Sequence, residues 1–185
     1  LWAYARVRLR DLLSTPWDGI MTVATGTPQQ RLATIGDFYT SERAVALIMR
    51  WHVRFPAHIA SGGVAGAHLR SAFVRSGINF PGDPLGWALA DEAALVDGIF
   101  AEIQAEITTA TTAVNAVQVR KWTGLRMTMT NVRHFPVWAP VANNPNGDQR
   151  NTRGYTLDPA IGPLSEARAV NTPFPLDTAG LTPAP

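Results

Sequence analysis

The stretch from Asp91 to Trp122 constrains this chain more than any other. Leu95, Val96, Ile99, Phe100, Ile103, Ile107, Ala110, Val114 and Val117 recur at intervals of three and four. At about 100° per residue they fall within an arc of roughly 140° on a helical wheel. Gln104, Thr108, Thr112 and Asn115 lie on the opposite side. Asp91 and Glu92 stand where a helix N-terminus favours negative charge, and Arg120 and Lys121 stand where its C-terminus favours positive charge. Gly124 reads as the stop. A helix of about 30 residues is roughly 45 Å long, more than a domain of this size needs for its own core.

The remaining sequence supplies shorter helices. Leu1 to Leu13 carries Trp2, Ala5, Leu9 and Leu12 on one stripe and ends at Ser14-Thr15-Pro16. Ser41 caps a second helix, Glu42 to Phe55, whose apolar face is Ala44, Leu47, Ile48, Trp51 and Phe55. The turn Ser61-Gly62-Gly63 leads to a third helix, about Val64 to Arg75, with Gly77 as its C-terminal cap. Ile20 to Ala24 reads as a short strand, and Gln29 to Ile35 is ambiguous. After Gly124, Leu125, Met127 and Met129 alternate with Arg126, Thr128 and Thr130, which predicts a strand with one wet face. The methionine pair then reads as strand core.

Residues 136–185 differ in kind. They hold nine of the fourteen prolines and no helical period. Yet Trp138, Val141, Tyr155, Leu157, Ile161, Leu164, Phe174 and Leu176 are spread through them with few charges. That composition suits an extended arm that lays apolar anchors on another surface. The expected organisation is therefore a mainly α chain. A helical body over residues 1–135 is built on one long amphipathic helix, several shorter helices and one or two short strands. The Pro-rich arm, residues 136–185, packs on that body or on a neighbouring subunit.

Composition narrows the functional classes. Charged residues are only 16% of the 185, against the usual quarter, which fits a surface partly covered by partners. Cysteine is absent, so disulfides, thiolate nucleophiles and Cys-ligated zinc are excluded. No uncharged apolar run reaches the roughly 18 residues of a membrane span, and no signal peptide is visible. The first residue is Leu1, inside a helical pattern, which suggests a processed fragment or part of a longer polypeptide.

Each search for chemistry meets a plainer reading. His58 and His68 flank the glycine turn and can approach each other, but neither has a ligand-spaced partner, and surface or core roles fit better. Glu102 and Glu106 are one helical turn apart at the edge of a solvated face rather than in a cleft. Gly62-Gly63-Val64-Ala65-Gly66 lacks the Lys-Ser/Thr of a phosphate loop and reads as a tight turn with close helix packing. Residues 1–80 hold nine arginines against four acids. Of these, Arg6, Arg8, Arg10, Arg43, Arg50 and Arg54 are the candidates for contact with nucleic acid. No catalytic residue, cofactor or metal ligand is assigned.

The segment Asn131-Val132-Arg133-His134-Phe135-Pro136-Val137-Trp138-Ala139-Pro140, continuing through Asn144-Pro145-Asn146-Gly147 to Leu157-Asp158-Pro159, resembles the meandering segments of icosahedral virus capsid proteins, those of double-stranded RNA viruses in particular. The resemblance covers the last third of the chain and carries over no family residue. It implies a non-enzymatic shell subunit of a virion or the cytoplasm, partnered by copies of itself or by other subunits. Contact would run through Trp138, Tyr155, Leu157, Phe174 and Leu176, with the basic half facing the genome. A nucleic-acid-binding module and a hydrolase with dispersed catalytic residues are the alternatives. The hydrolase requires a histidine and an acid brought together near the glycine turn.

Overall fold

A computed structural model describes residues 2–23, 30–78, 89–134 and Leu164. The order is α1 (Trp2–Leu13), β1 (Pro16–Val23), β2 (Gln30–Thr34), α2 (Ile35–Phe38), α3 (Glu42–Arg54), α4 (Pro56–Ile59), β3 (Ala60–Ser61), β4 (Val64–Ala65), α5 (Ala67–Arg75), α6 (Leu89–Thr112) and α7 (Ala116–Arg133). The fold is mainly α, with two short antiparallel strand pairs, β1–β2 and β3–β4. Among the described residues no helix is long and apolar enough to cross a membrane.

The local rules explain most of these elements. Ser41 caps α3, its hydroxyl accepting from the Ala44 amide at 3.1 Å. Pro56 ends α3 and also opens the single turn of α4, because proline suits the first helical position. Gly62 and Gly63 both take positive φ, +61° and +80°, the backbone of a tight hairpin turn between β3 and β4. In β1–β2, Thr22 pairs with Arg31 and Met21 with Leu32, and the register slips between Pro16 and Met21.

The core lies where α3, α5, α6 and α7 meet. Leu47, Ile48, Trp51, Leu69, Leu95, Ile99 and Ile103 are fully buried there. Trp17, Phe38 and Phe73 close one end as an aromatic trio, with centroids 4.4 to 5.4 Å apart. Leu164, the one described residue of the Pro-rich segment, packs against this core, and its carbonyl accepts from Arg43 Nη2 at 3.2 Å.

Two expectations are corrected. The long helix stops at Thr112 and does not run on to Trp122. The Val114 amide donates to Thr111 O and the Asn115 amide to Ala110 O, the paired closure of a Schellman cap. Asn115 then caps α7 by accepting from the Gln118 amide at 3.1 Å. The chain reverses, so Leu95, Ile99 and Ile103 face the core while Val114 and Val117 do not. The predicted strand after Gly124 is the second half of α7. Leu125 and Met129, four residues apart, are buried, whereas Met127 is 44% exposed. Gly124 therefore does not end a helix. Arg54 crosses it, with Nη1 donating to its carbonyl at 3.0 Å, in a space a side chain would fill.

Candidate functional site

The densest group of chemically active side chains gathers where α4, α5, α6 and α7 converge. Gly66 makes this convergence geometrically accessible. A Cβ there would lie 2.5 Å from the His58 carbonyl oxygen, and the Gly66 amide donates to Ile59 O at 2.7 Å. The start of α5 therefore approaches α4 closely, bringing the His58 and His68 rings to 4.4 Å between centroids. The glycine turn thus serves close packing, in keeping with the sequence reading.

His58 is clamped. Its ring stacks between Phe55 (4.9 Å, 22°) and Trp122 (4.8 Å, 23°). Trp51 Nε1 donates to its Nδ1 at 3.1 Å, so Nδ1 is an acceptor and the ring proton sits on Nε2. Lys121 lies over the Phe55 ring, with its Nζ 3.5 Å from His58 Nε2. Burial, and then the neighbouring His68 and Lys121 charges, push the His58 imidazole down from 6.5 to about 4.

This carries a pH prediction. The unfolded chain protonates His58 near its ordinary value and the folded chain only near 4, so between these limits unfolding takes up a proton. Stability is full above the ordinary histidine value and falls as pH drops through that window. The loss expected is about 1–2 kcal/mol, discounted for solvent screening at a half-exposed ring. His52, lowered by burial and by Arg8, adds in the same direction. Urea unfolding at about pH 7.5 and about pH 4.5 measures the difference, and His58→Gln should shrink it. An unchanged difference in that variant would refute the assignment.

His68 meets two carboxylates. Its Nδ1 lies 2.8 Å from Glu102 Oε1 and 3.9 Å from Glu106 Oε1. Arg75, two turns after His68 on α5, donates from Nε to Glu102 Oε2 at 2.7 Å. Glu102 is 2% exposed, so the expectation that it sits at the edge of a solvated face is corrected. It faces α5 and is held on both oxygens. Glu106, one turn on, is about one-third exposed. The three donor atoms of His68, Glu102 and Glu106 lie within 4.8 Å of one another.

Neither histidine has an acid near it in sequence, and the two carboxylates beside His68 come from α6. The histidine–acid pair that a hydrolase requires near the glycine turn is thus formed by His68 and Glu102. Among the described residues no hydroxyl nucleophile hydrogen-bonds either imidazole.

The arginines of the basic half are largely engaged by the protein itself. Arg10 pairs with Asp11 at 2.9 Å, Arg43 with the Leu164 carbonyl and Arg54 with the Gly124 carbonyl. Arg8 is exposed and Arg50 half-buried. The side chain of Arg6, and the anchors Trp138, Tyr155, Leu157, Phe174 and Leu176, lie outside the described residues.

A second surface stands out at the turn between α6 and α7. Val114 is 89% exposed and Val117 75% exposed, and Val114, Ala116, Val119 and Met127 line an apolar groove rimmed by Arg120 and Thr123. Val114 is also the one non-glycine among the described residues with positive φ, +54°. Comparison with family models, with curated proteins and with solved structures finds no match to this chain.

Proposed function

We propose that the chain is a non-enzymatic structural subunit that assembles with copies of itself, as a capsid shell protein of the type built by double-stranded RNA viruses does. The observation that carries the assembly reading is Val114. A β-branched residue in the left-handed region costs about 1–2 kcal/mol, and its position after a helix is one that glycine usually fills. Here the strain is combined with almost complete exposure, so the isolated chain gains no burial from the valine. A neighbouring subunit seated on the groove would bury Val114 and Met127 and recover that stabilisation. The capsid identity rests on the texture of the Pro-rich segment. The low charge content agrees with a chain much of whose surface is covered.

Light scattering over a range of concentrations tests the assembly reading. The expected result is a mass that rises above 20.0 kDa with concentration. The double substitution Val114→Asp, Met127→Asp should return the mass to the monomer without unfolding the chain, since both side chains line the groove and are exposed. Val114→Gly separates the two roles of this residue. It should raise monomer stability by up to about 1 kcal/mol through relief of strain, yet weaken association. A stable monomer of the unaltered chain at every concentration would overturn the assembly reading.

A further inference from the structure

We propose that His68, Glu102 and Glu106 form a binding site for a divalent transition-metal ion, with zinc the best fit to the donor set. The site is independent of the assembly reading, since it lies at the convergence of α4, α5, α6 and α7 and not at the apolar groove.

The geometry comes first. Metal–nitrogen and metal–oxygen bonds to zinc are about 2.0–2.2 Å, which places neighbouring ligand atoms of a tetrahedral site roughly 3.3–3.6 Å apart. The imidazole Nδ1 is 2.8 Å from one carboxylate oxygen and 3.9 Å from the other, so the observed separations bracket that range. Rotation of the Glu106 side chain, which is about one-third exposed, closes the remaining difference without moving either helix. The spacing is also fixed by secondary structure. Glu102 and Glu106 are one turn apart on α6, and His68 is presented from α5, which packs directly against it.

The chemistry of the donors then selects the ion. One imidazole with two carboxylates suits zinc and similar transition metals, whereas magnesium and calcium favour oxygen-only shells. Three protein ligands leave a fourth position for water, and the partial exposure of His68 and Glu106 provides a path for entry.

The surroundings are those of a ligand shell. Arg75 holds the second oxygen of Glu102 at 2.7 Å, so the first oxygen is directed at His68 by a contact that need not break when an ion arrives. Trp122 packs edge-on against the His68 ring at 5.0 Å and His58 packs beside it, restricting imidazole rotation. On binding, the metal takes the Nδ1 lone pair, and the proton that Nδ1 shares with Glu102 moves to Nε2 or to solvent.

The test uses the full chain, treated with chelator and then titrated with zinc sulfate in a calorimeter, with magnesium chloride as the contrast. The expected result is saturable uptake of zinc and none of magnesium. Glu106→Gln and His68→Ala should each weaken zinc binding by about 100-fold, the upper end of what displaced outer-shell groups already cost. Glu106→Gln is the decisive variant because its side chain is about one-third exposed and the substitution keeps its size, whereas Glu102 is buried. Cobalt substitution gives a second reading, since intense visible d–d absorption marks a tetrahedral site, and the variant should lose it. Zinc should also raise the melting temperature of the unaltered chain but not of Glu106→Gln. Absence of zinc uptake by the unaltered chain, or affinity in Glu106→Gln equal to it, would overturn the proposal.

Discussion

Glu92→Ala is expected to destabilise the chain by about 3–5 kcal/mol, the cost of breaking a buried charged network. Glu92 is 2% exposed, in the first turn of α6. Its Oε1 accepts from the Thr40 amide at 2.8 Å, the Ser41 amide at 3.0 Å and the Ser41 hydroxyl at 3.2 Å. Its Oε2 accepts from the Thr40 hydroxyl at 3.3 Å. One carboxylate therefore closes the N-terminus of α3 while lying at the N-terminus of its own helix. Both ends present partially positive N–H groups to it. Alanine would remove the acceptor of the Thr40 and Ser41 amides in a buried site, each at about 1–3 kcal/mol if left unpaired. Glu92→Gln keeps one oxygen acceptor and should cost about half as much. Denaturant midpoints of the three proteins decide the matter, and an alanine variant within about 1 kcal/mol of the original would sink the argument.

Gly98→Ala is the second large effect, and its sign is the interesting part. Within a helix this substitution normally stabilises by about 0.8–1 kcal/mol, because alanine is the better helix former. Gly98 lies on the face of α6 that crosses α5, and a Cβ there would run into the Ala72 carbonyl oxygen and stand 3.0 Å from the Ser76 amide nitrogen. Those atoms are backbone and cannot swing away as a flexible side chain would. The helices would have to separate, loosening the packing of Leu69 and Phe73 against Leu95 and Ile99. Overpacking of this kind costs about 1–3 kcal/mol, so a net loss of about 2 kcal/mol is expected by thermal or chemical denaturation. A variant more stable than the original would show that α5 and α6 do not cross as closely as described.

The sequence discloses the helical character and most of the helix starts because those depend on local rules. Ser41 is legible as a cap, and the stripe Ala44, Leu47, Ile48, Trp51 is legible as a buried face, because both are settled within one or two turns. The break at 113–115 is not legible. Val114 and Val117 continue the period of three and four, and the turn uses a valine where a glycine would have announced it. The second half of α7 misleads for a related reason. Leu125, Met127 and Met129 fit a period of two, but only Leu125 and Met129 are buried. Thr128 and Thr130 return their hydroxyls to Leu125 O and Arg126 O, which accommodates β-branched residues in a helix. For the site, the approach of His58 and His68 is foreshadowed by the glycines between them. The pairing of His68 with Glu102, 34 residues away, depends on how α5 crosses α6, and no local pattern encodes a crossing.

The far end of the α6–α7 hairpin has a consequence for how such a chain can change over generations. Residues 111–117 are all exposed, and Ala110 is the last buried position before the turn. Apart from Asn115, whose side chain caps α7, substitutions there leave the packing of Trp51, Leu95 and Ile103 untouched, so they escape the purge that removes destabilising changes from the interior. Recognition and foldability are thereby uncoupled. The tip is free to drift towards new neighbours while the root of the same two helices is held to its present residues.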